Sequence, residues 1–169
     1  MRVEMDHEFN GTPEEVFAMF CDAASHVAKF ESFGAENIEI LNQSGDGISE
    51  EFLLEVAQDV TLDLPGFAKK MFSPTNRVTS IDKWRDNGDG TYGGGYIVNT
   101  PGVPISVEGT TALLPIDGHP DYTNFSVAVE IEVNVPVVGG KLAKWAKGNV
   151  EENMNDQFAA GDRWLAGER

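Results

Sequence analysis

The amino-acid sequence predicts an α+β fold: a curved antiparallel β-sheet of about six or seven strands wrapped around a long C-terminal α-helix, with two short helices near the N-terminus. Three observations point there. Long stretches alternate apolar and polar residues, most clearly from Asn124 to Val135, where Val127, Val129, Ile131, Val133 and Val135 alternate with Ala128, Glu130, Glu132 and Asn134. One amphipathic segment follows Pro136-Val137-Val138-Gly139-Gly140, and from near Gly140 to Leu165 it would run about 38 Å, longer than packing in a domain of this size requires. Thr12-Pro13-Glu14-Glu15 is a helix start placed directly after a first strand.

The elements follow in order. From Arg2 to Phe9, Val3, Met5, His7 and Phe9 occupy one face and Arg2, Glu4, Asp6 and Glu8 the other, the pattern of a half-buried strand. Thr12 can cap a helix, Pro13 suits its first position and Glu15 completes a capping box; Val16, Phe17, Met19 and Phe20 then turn inward. Asp22 starts a second helix through Val27, Phe30 and Phe33 that stops at Gly34. Ile38 and Ile40 mark a strand, Gly45-Asp46-Gly47 a turn, and Ile48 to Val56 the returning strand, with Glu50 on the face of Phe52, Leu54 and Val56. Segment 63–74 interrupts this rhythm: Pro65 and Gly66 open it, Pro74 closes it, and its middle suits a short helix inserted between strands. Further strands run from Arg77 to Arg85, Tyr92 to Val98 and Val103 to Leu114, the first two joined by an Asn87-Gly88-Asp89-Gly90 turn. On the last helix Leu142, Ala146, Val150, Met154, Phe158, Gly161, Trp164 and Leu165 share one sector, and the amides of Asn153 and Gln157 fall inside it.

Composition narrows the function classes. The 169 residues, 41% hydrophobic, support one domain spanning 1–169. Asp plus Glu number 28 against 12 Lys plus Arg, a formal charge of -16 that repels nucleic-acid phosphates and anionic lipid, so neither nucleic acid nor stable membrane association is expected. The one cysteine, Cys21, has no internal disulfide partner and is expected to be a small buried side chain. The first residues lack the apolar run of a secretory signal and no stretch nears the ~20 apolar residues of a membrane span, which together favour the cytoplasm.

The order of strand, two short helices opening Thr12-Pro13-Glu14-Glu15-Val16-Phe17, a run of antiparallel strands, and a long helix after Pro136-Val137-Val138-Gly139-Gly140 resembles the helix-grip superfamily of START lipid-transfer domains, birch-pollen-allergen-type proteins and polyketide cyclases. The likeness covers essentially the whole chain and is closest to a branch of uncharacterised bacterial proteins. It implies a helix-grip fold with an internal cavity. In the pollen-allergen members a glycine-rich turn joins the second and third strands; Gly45-Asp46-Gly47 stands there in this chain, shorter and poorer in glycine, and reads as a hairpin turn rather than a phosphate loop. The insertion at 63–74 departs from the plainest members.

The leading expectation is binding or carriage of a hydrophobic or amphipathic small molecule, a lipid or a polyketide-like ring, without catalysis. Phe9, Phe52, Trp84, Tyr96 and Ile131 are the candidate apolar wall, and Phe67, Met71 and Phe72 beside Lys69 and Lys70 a candidate lid, the alternatives being a membrane contact during lipid exchange or a helix packed over the open sheet edge. Asn153 and Gln157 are candidate ligand contacts, because buried amides are costly unless bonded; the alternative is a bond to sheet backbone or trapped water. His7, on the inward face, can orient a ligand or act as acid or base; the alternative is a histidine held neutral by a backbone or carboxylate partner. A competing enzyme reading is a cyclase or dehydratase with His7 coupled to Glu50 or Asp82, the latter sharing a face with Val78 and Trp84. A third is a co-chaperone or regulatory domain that works through its outer surface. His26 and His119 are expected near surface loops. No HxH, HExxH or CxxC spacing occurs, Asp86-Asn87-Gly88-Asp89-Gly90 lacks the final Glu of a calcium loop, and Gly93-Gly94-Gly95 precedes no Lys-Ser/Thr, so neither metal nor cofactor is expected. Those three glycines suit sheet curvature or the close approach of a bulky group.

Overall fold

The computed structural model describes residues 1–168. In chain order the elements are β1 (Arg2–Asn10), α1 (Pro13–Phe20), α2 (Ala23–Ser32), β2 (Glu36–Ser44), β3 (Phe52–Thr61), β4 (Thr75–Asp86), β5 (Tyr92–Asn99), β6 (Ile105–Ile116), β7 (His119–Val133) and α3 (Gly139–Leu165). The seven strands make one antiparallel sheet in the order β1-β7-β6-β5-β4-β3-β2, so the first and second strands lie at opposite edges. With α3 laid across the sheet and α1 and α2 at one end, this is the helix-grip arrangement that the sequence predicts.

Local chemistry sets the helix ends. Thr12 Oγ1 accepts the Glu15 N–H at 3.2 Å and Glu15 Oε2 accepts the Thr12 N–H at 2.9 Å, closing the capping box. Asp22 Oδ1 caps α2 by accepting the Ala24 N–H at 2.9 Å. The 27 residues of α3 span about 40 Å and bury Leu142, Ala146, Met154, Phe158, Ala160, Gly161 and Trp164. Gly161 sets the depth of that contact, since a Cβ there would lie 2.7 Å from Phe9 Cε1 on β1. Around it Phe9, Phe20, Phe125 and Phe158 meet at ring-centroid distances of 5.3–6.5 Å, mostly edge to face.

Three local expectations are corrected. The hairpin turn at Gly45-Asp46-Gly47 is the start of a wider loop, because Asp46 Oδ1 accepts the Ile48 and Ser49 N–H groups at 2.9 and 2.8 Å and holds the chain out of the ladder until Phe52. Those bonds push the Asp46 carboxyl down to about 2. Glu50 consequently sits exposed before β3 rather than inward beside Phe52. The middle of 63–74 forms successive turns, with the Ala68 N–H on the Pro65 carbonyl and the Phe72 N–H on the Ala68 carbonyl, and not a helix; Leu64 and Ala68 bury against Leu142. Cys21 is half-buried, packed where a Cβ on Gly47 would come within 2.9 Å of its sulfur, and burial with the nearby Asp46 charge pushes its thiol up to about 12.

Candidate functional site

Between the sheet and α3 lies a pocket of about 190 Å³. Strand alternation builds one wall: Val78, Ser80, Asp82 and Trp84 are the buried positions of β4, and each lines this pocket. Gly94 stands opposite Trp84 in the ladder, and a Cβ there would press on the Trp84 ring at 2.9 Å, so the glycine lets the indole lie flat on the sheet. Gly109, opposite Tyr96, likewise carries the Tyr96 ring, which any Cβ would strike. The opposite wall comes from α3, where Ala146, Val150 and Met154 present small or flexible apolar side chains and Asn149, Asn153 and Gln157 present amides.

Beside these amides the pocket holds two further sets of polar groups. Lys29 from α2 and Asp82 from β4 form an ion pair, Nζ to Oδ1 at 3.7 Å. Lys29 Nζ also donates to His26 Nδ1 at 3.0 Å, while His26 Nε2 donates to the Phe20 carbonyl at 2.7 Å. His26 is 1% exposed, and burial, with the Lys29 charge adding to it, pushes its pKa down to about 4. Although its Nδ1 lies 3.9 Å from Asp82, His26 is therefore neutral and Lys29 is the charge that balances the carboxylate. Tyr96, whose hydroxyl contacts Met154 Sδ at 3.9 Å, has its pKa raised by burial first and by the Asp82 charge second. The second set has no partners: Gln58 Oε1, Ser80 Oγ and Thr111 Oγ1 are buried without a hydrogen bond, and all three residues line the pocket.

The structure brings Trp84, Tyr96, Asn153 and Gln157 together at this pocket. Phe9 lines a smaller adjoining one of about 30 Å³, again with Gln157. Phe52 and Ile131 are each 1% exposed, packed in the core and outside the pocket lining. Phe67 and Met71 are exposed on the inserted segment and are not among the lining residues. His7 has the inward parity read from the sequence yet stands elsewhere, its Nε2 2.9 Å from Asp162 Oδ1 of α3 and its ring stacked 4.7 Å from Phe158. The coupling of His7 with Glu50 or Asp82 is not formed, since Glu50 is exposed and Asp82 is held by Lys29. His26, expected near a surface loop, is instead inside, because α2 turns it with Phe30 toward the sheet. Sequence reasoning missed Lys29, Gln58, Ser80 and Thr111; the alternation of β4 through Val78 and Asp82 marks Ser80 as inward, and nothing comparable marks Lys29.

Among the described residues no group of three or more His, Cys, Asp or Glu side chains is placed to hold a metal ion, and no helix is long and apolar enough to cross a membrane.

Comparisons with known proteins agree with this geometry. An "Uncharacterized protein Rv0481c" of Mycobacterium tuberculosis is 24% identical over 147 residues, 83% of each chain. The ZhuI aromatase/cyclase of a Streptomyces species superposes with a TM-score of 0.64 at 14% identity, over 98% of this chain and 93% of that one. A START superfamily protein of Mycobacterium smegmatis does so with a TM-score of 0.57 at 16% identity, over 99% of both. At these identities the two structures speak for the fold. Residues 4–165 match the family described as "Protein of unknown function (DUF2505)", and the chain belongs to that family.

Proposed function

We propose that this protein binds and carries an uncatalysed cargo, a hydrophobic or amphipathic small molecule, in the pocket between the sheet and α3. One observation carries the reading: Gln58, Ser80 and Thr111 keep buried, unpaired polar atoms inside a mostly apolar pocket. Each such atom costs about 1–3 kcal/mol when left unsatisfied, a penalty that a bound molecule with matching polar groups removes. The size supports a small guest. A dry engineered cavity of about 150 Å³ in another protein takes up benzene, so about 190 Å³ suits one or two rings or a short chain.

The START-like fold supports cargo binding, and the likeness to an aromatase/cyclase raises catalysis as the rival. The pocket favours carriage because its charged groups are already engaged: Asp82 is paired with Lys29, and Lys29 also donates to His26, which lies outside the lining with both ring nitrogens bonded. The charge of -16 favours a small-molecule partner over nucleic acid or an anionic membrane.

Native mass spectrometry of the protein from its own source tests this. An added small-molecule mass that denaturation releases, and that Val150→Phe abolishes by filling the pocket, is the expected result. Identical native and denatured masses, together with no binding of naphthalene by the purified protein, overturn it.

A further inference from the structure

Resting on the carrier reading, we infer that the pocket selects an uncharged ring compound bearing a hydroxyl group: Gln58 and Ser80 bind the hydroxyl, and the Lys29–Asp82 pair excludes charged analogues. Gln58 faces Val78 across the β3–β4 ladder and Ser80 lies two residues along β4, so the two are diagonal neighbours on one face, about 7–8 Å apart at their backbones. Glutamine is the longer side chain, and in the inferred complex one hydroxyl bridges them, donating to Gln58 Oε1 and accepting from Ser80 Oγ. Both residues are 3% exposed and both atoms lack a protein partner, so a small side-chain rotation toward the pocket, after which one ligand oxygen satisfies two orphans at once, is part of the inference. Thr111, 6% exposed and two strands away on β6, offers a third unpaired oxygen to a second polar substituent.

Charge selection follows from Asp82, which is 7% exposed, and Lys29, whose side chain is 15% exposed. The two formal charges cancel within the pocket, and neutral His26 adds none. An anionic ligand beside Lys29 also meets the Asp82 carboxylate 3.7 Å away, and a cationic ligand beside Asp82 meets Lys29; either brings a net charge into a poorly solvated pocket that otherwise has none. An uncharged hydroxyl disturbs neither.

Three probes of one size separate these statements: naphthalene, 2-naphthol and 2-naphthoate, titrated at neutral pH into the full-length protein. NMR signals of the Trp84 and Trp145 indoles, which both line the pocket, read occupancy. We expect 2-naphthol to bind about tenfold or more tightly than either of the others. Ser80→Ala and Gln58→Leu should each remove most of the difference in affinity between 2-naphthol and naphthalene, read as the ratio of the two within each variant. Asp82→Asn, which frees the Lys29 charge, should raise 2-naphthoate affinity about tenfold or more, and Lys29→Met with Asp82→Asn should cancel that gain. Naphthalene binding as tightly as 2-naphthol, in the wild type or with no change in Ser80→Ala, overturns the hydroxyl clamp. Equal binding of 2-naphthoate and 2-naphthol by the wild type overturns the charge filter without needing any variant to fold. If none of the three probes binds, the ring-and-hydroxyl selection fails, and the carrier reading fails with it only where native and denatured masses are also identical.

Discussion

Helix α3 meets the same sheet twice with opposite results. From Phe158 to Trp164 it is packed closely, leaving only the small pocket of about 30 Å³: Gly161 admits the Phe9 ring, and the His7 ring lies stacked on Phe158, with Phe125 edge-on at 5.6 Å. From Leu142 to Met154 the residues that face the sheet include Ala146 and Val150, and there the pocket opens. Backbone geometry is shared by both halves, so side-chain size decides where space remains. A gap of this kind forfeits dispersion contacts that the packed half makes, and the larger loss, about 190 Å³ against about 30 Å³, falls at one end.

The contrast can be broken most forcefully by Phe158→Ala. Truncating that ring in the packed half should destabilise the protein by about 3–5 kcal/mol in denaturant unfolding, whereas Val150→Phe in the open half should shift stability by no more than about 1 kcal/mol and abolish ligand uptake. A large cost for Val150→Phe would mean that the open half holds no spare room. Acid sharpens the comparison next. The unfolded histidine titrates near 6.5, while His26 in the fold takes a proton only near 4, so the unfolded state binds more protons between those values. Stability should be complete above about pH 6.5 and fall by up to about 3 kcal/mol as the pH drops to 4, a slope that chemical unfolding at stepped pH measures and that His26→Gln should flatten. The smallest effect belongs to His7, a quarter exposed beside Asp162. His7→Gln should cost less than about 1 kcal/mol and leave ligand affinity unchanged.

Much of the fold was readable because its signals are local. The capping box at Thr12 and Glu15, the alternation of β7 and the apolar sector of α3 each depend on neighbours within a few residues, and each stands in the structure as expected. The pocket chemistry was harder to see because it joins distant segments. Parity places Asp82 on the inward face, but its partner Lys29 arrives from a helix more than fifty residues earlier, and no periodicity relates the two. Both histidines depart from expectation for a related reason. His26 and Phe30 lie four residues apart and so share a helix face, a sign of burial overlooked beside the stronger apolar run through Val27. His7 was correctly turned inward, yet which half of α3 it would meet depends on the β1–β7 edge position, a property of topology rather than of its own strand. Glu50 was misplaced because a single side chain, Asp46, replaces two ladder hydrogen bonds with its own.

The loop that Asp46 organises has a practical corollary. With its proton retained to about pH 12 and its sulfur pressed against Gly47, Cys21 is a poor nucleophile at physiological acidity, slow toward maleimides and mild oxidants alike. A second cysteine engineered at the rim of the cleft would then label selectively in the wild-type background, giving a spectroscopic handle on guest entry without first deleting the native thiol.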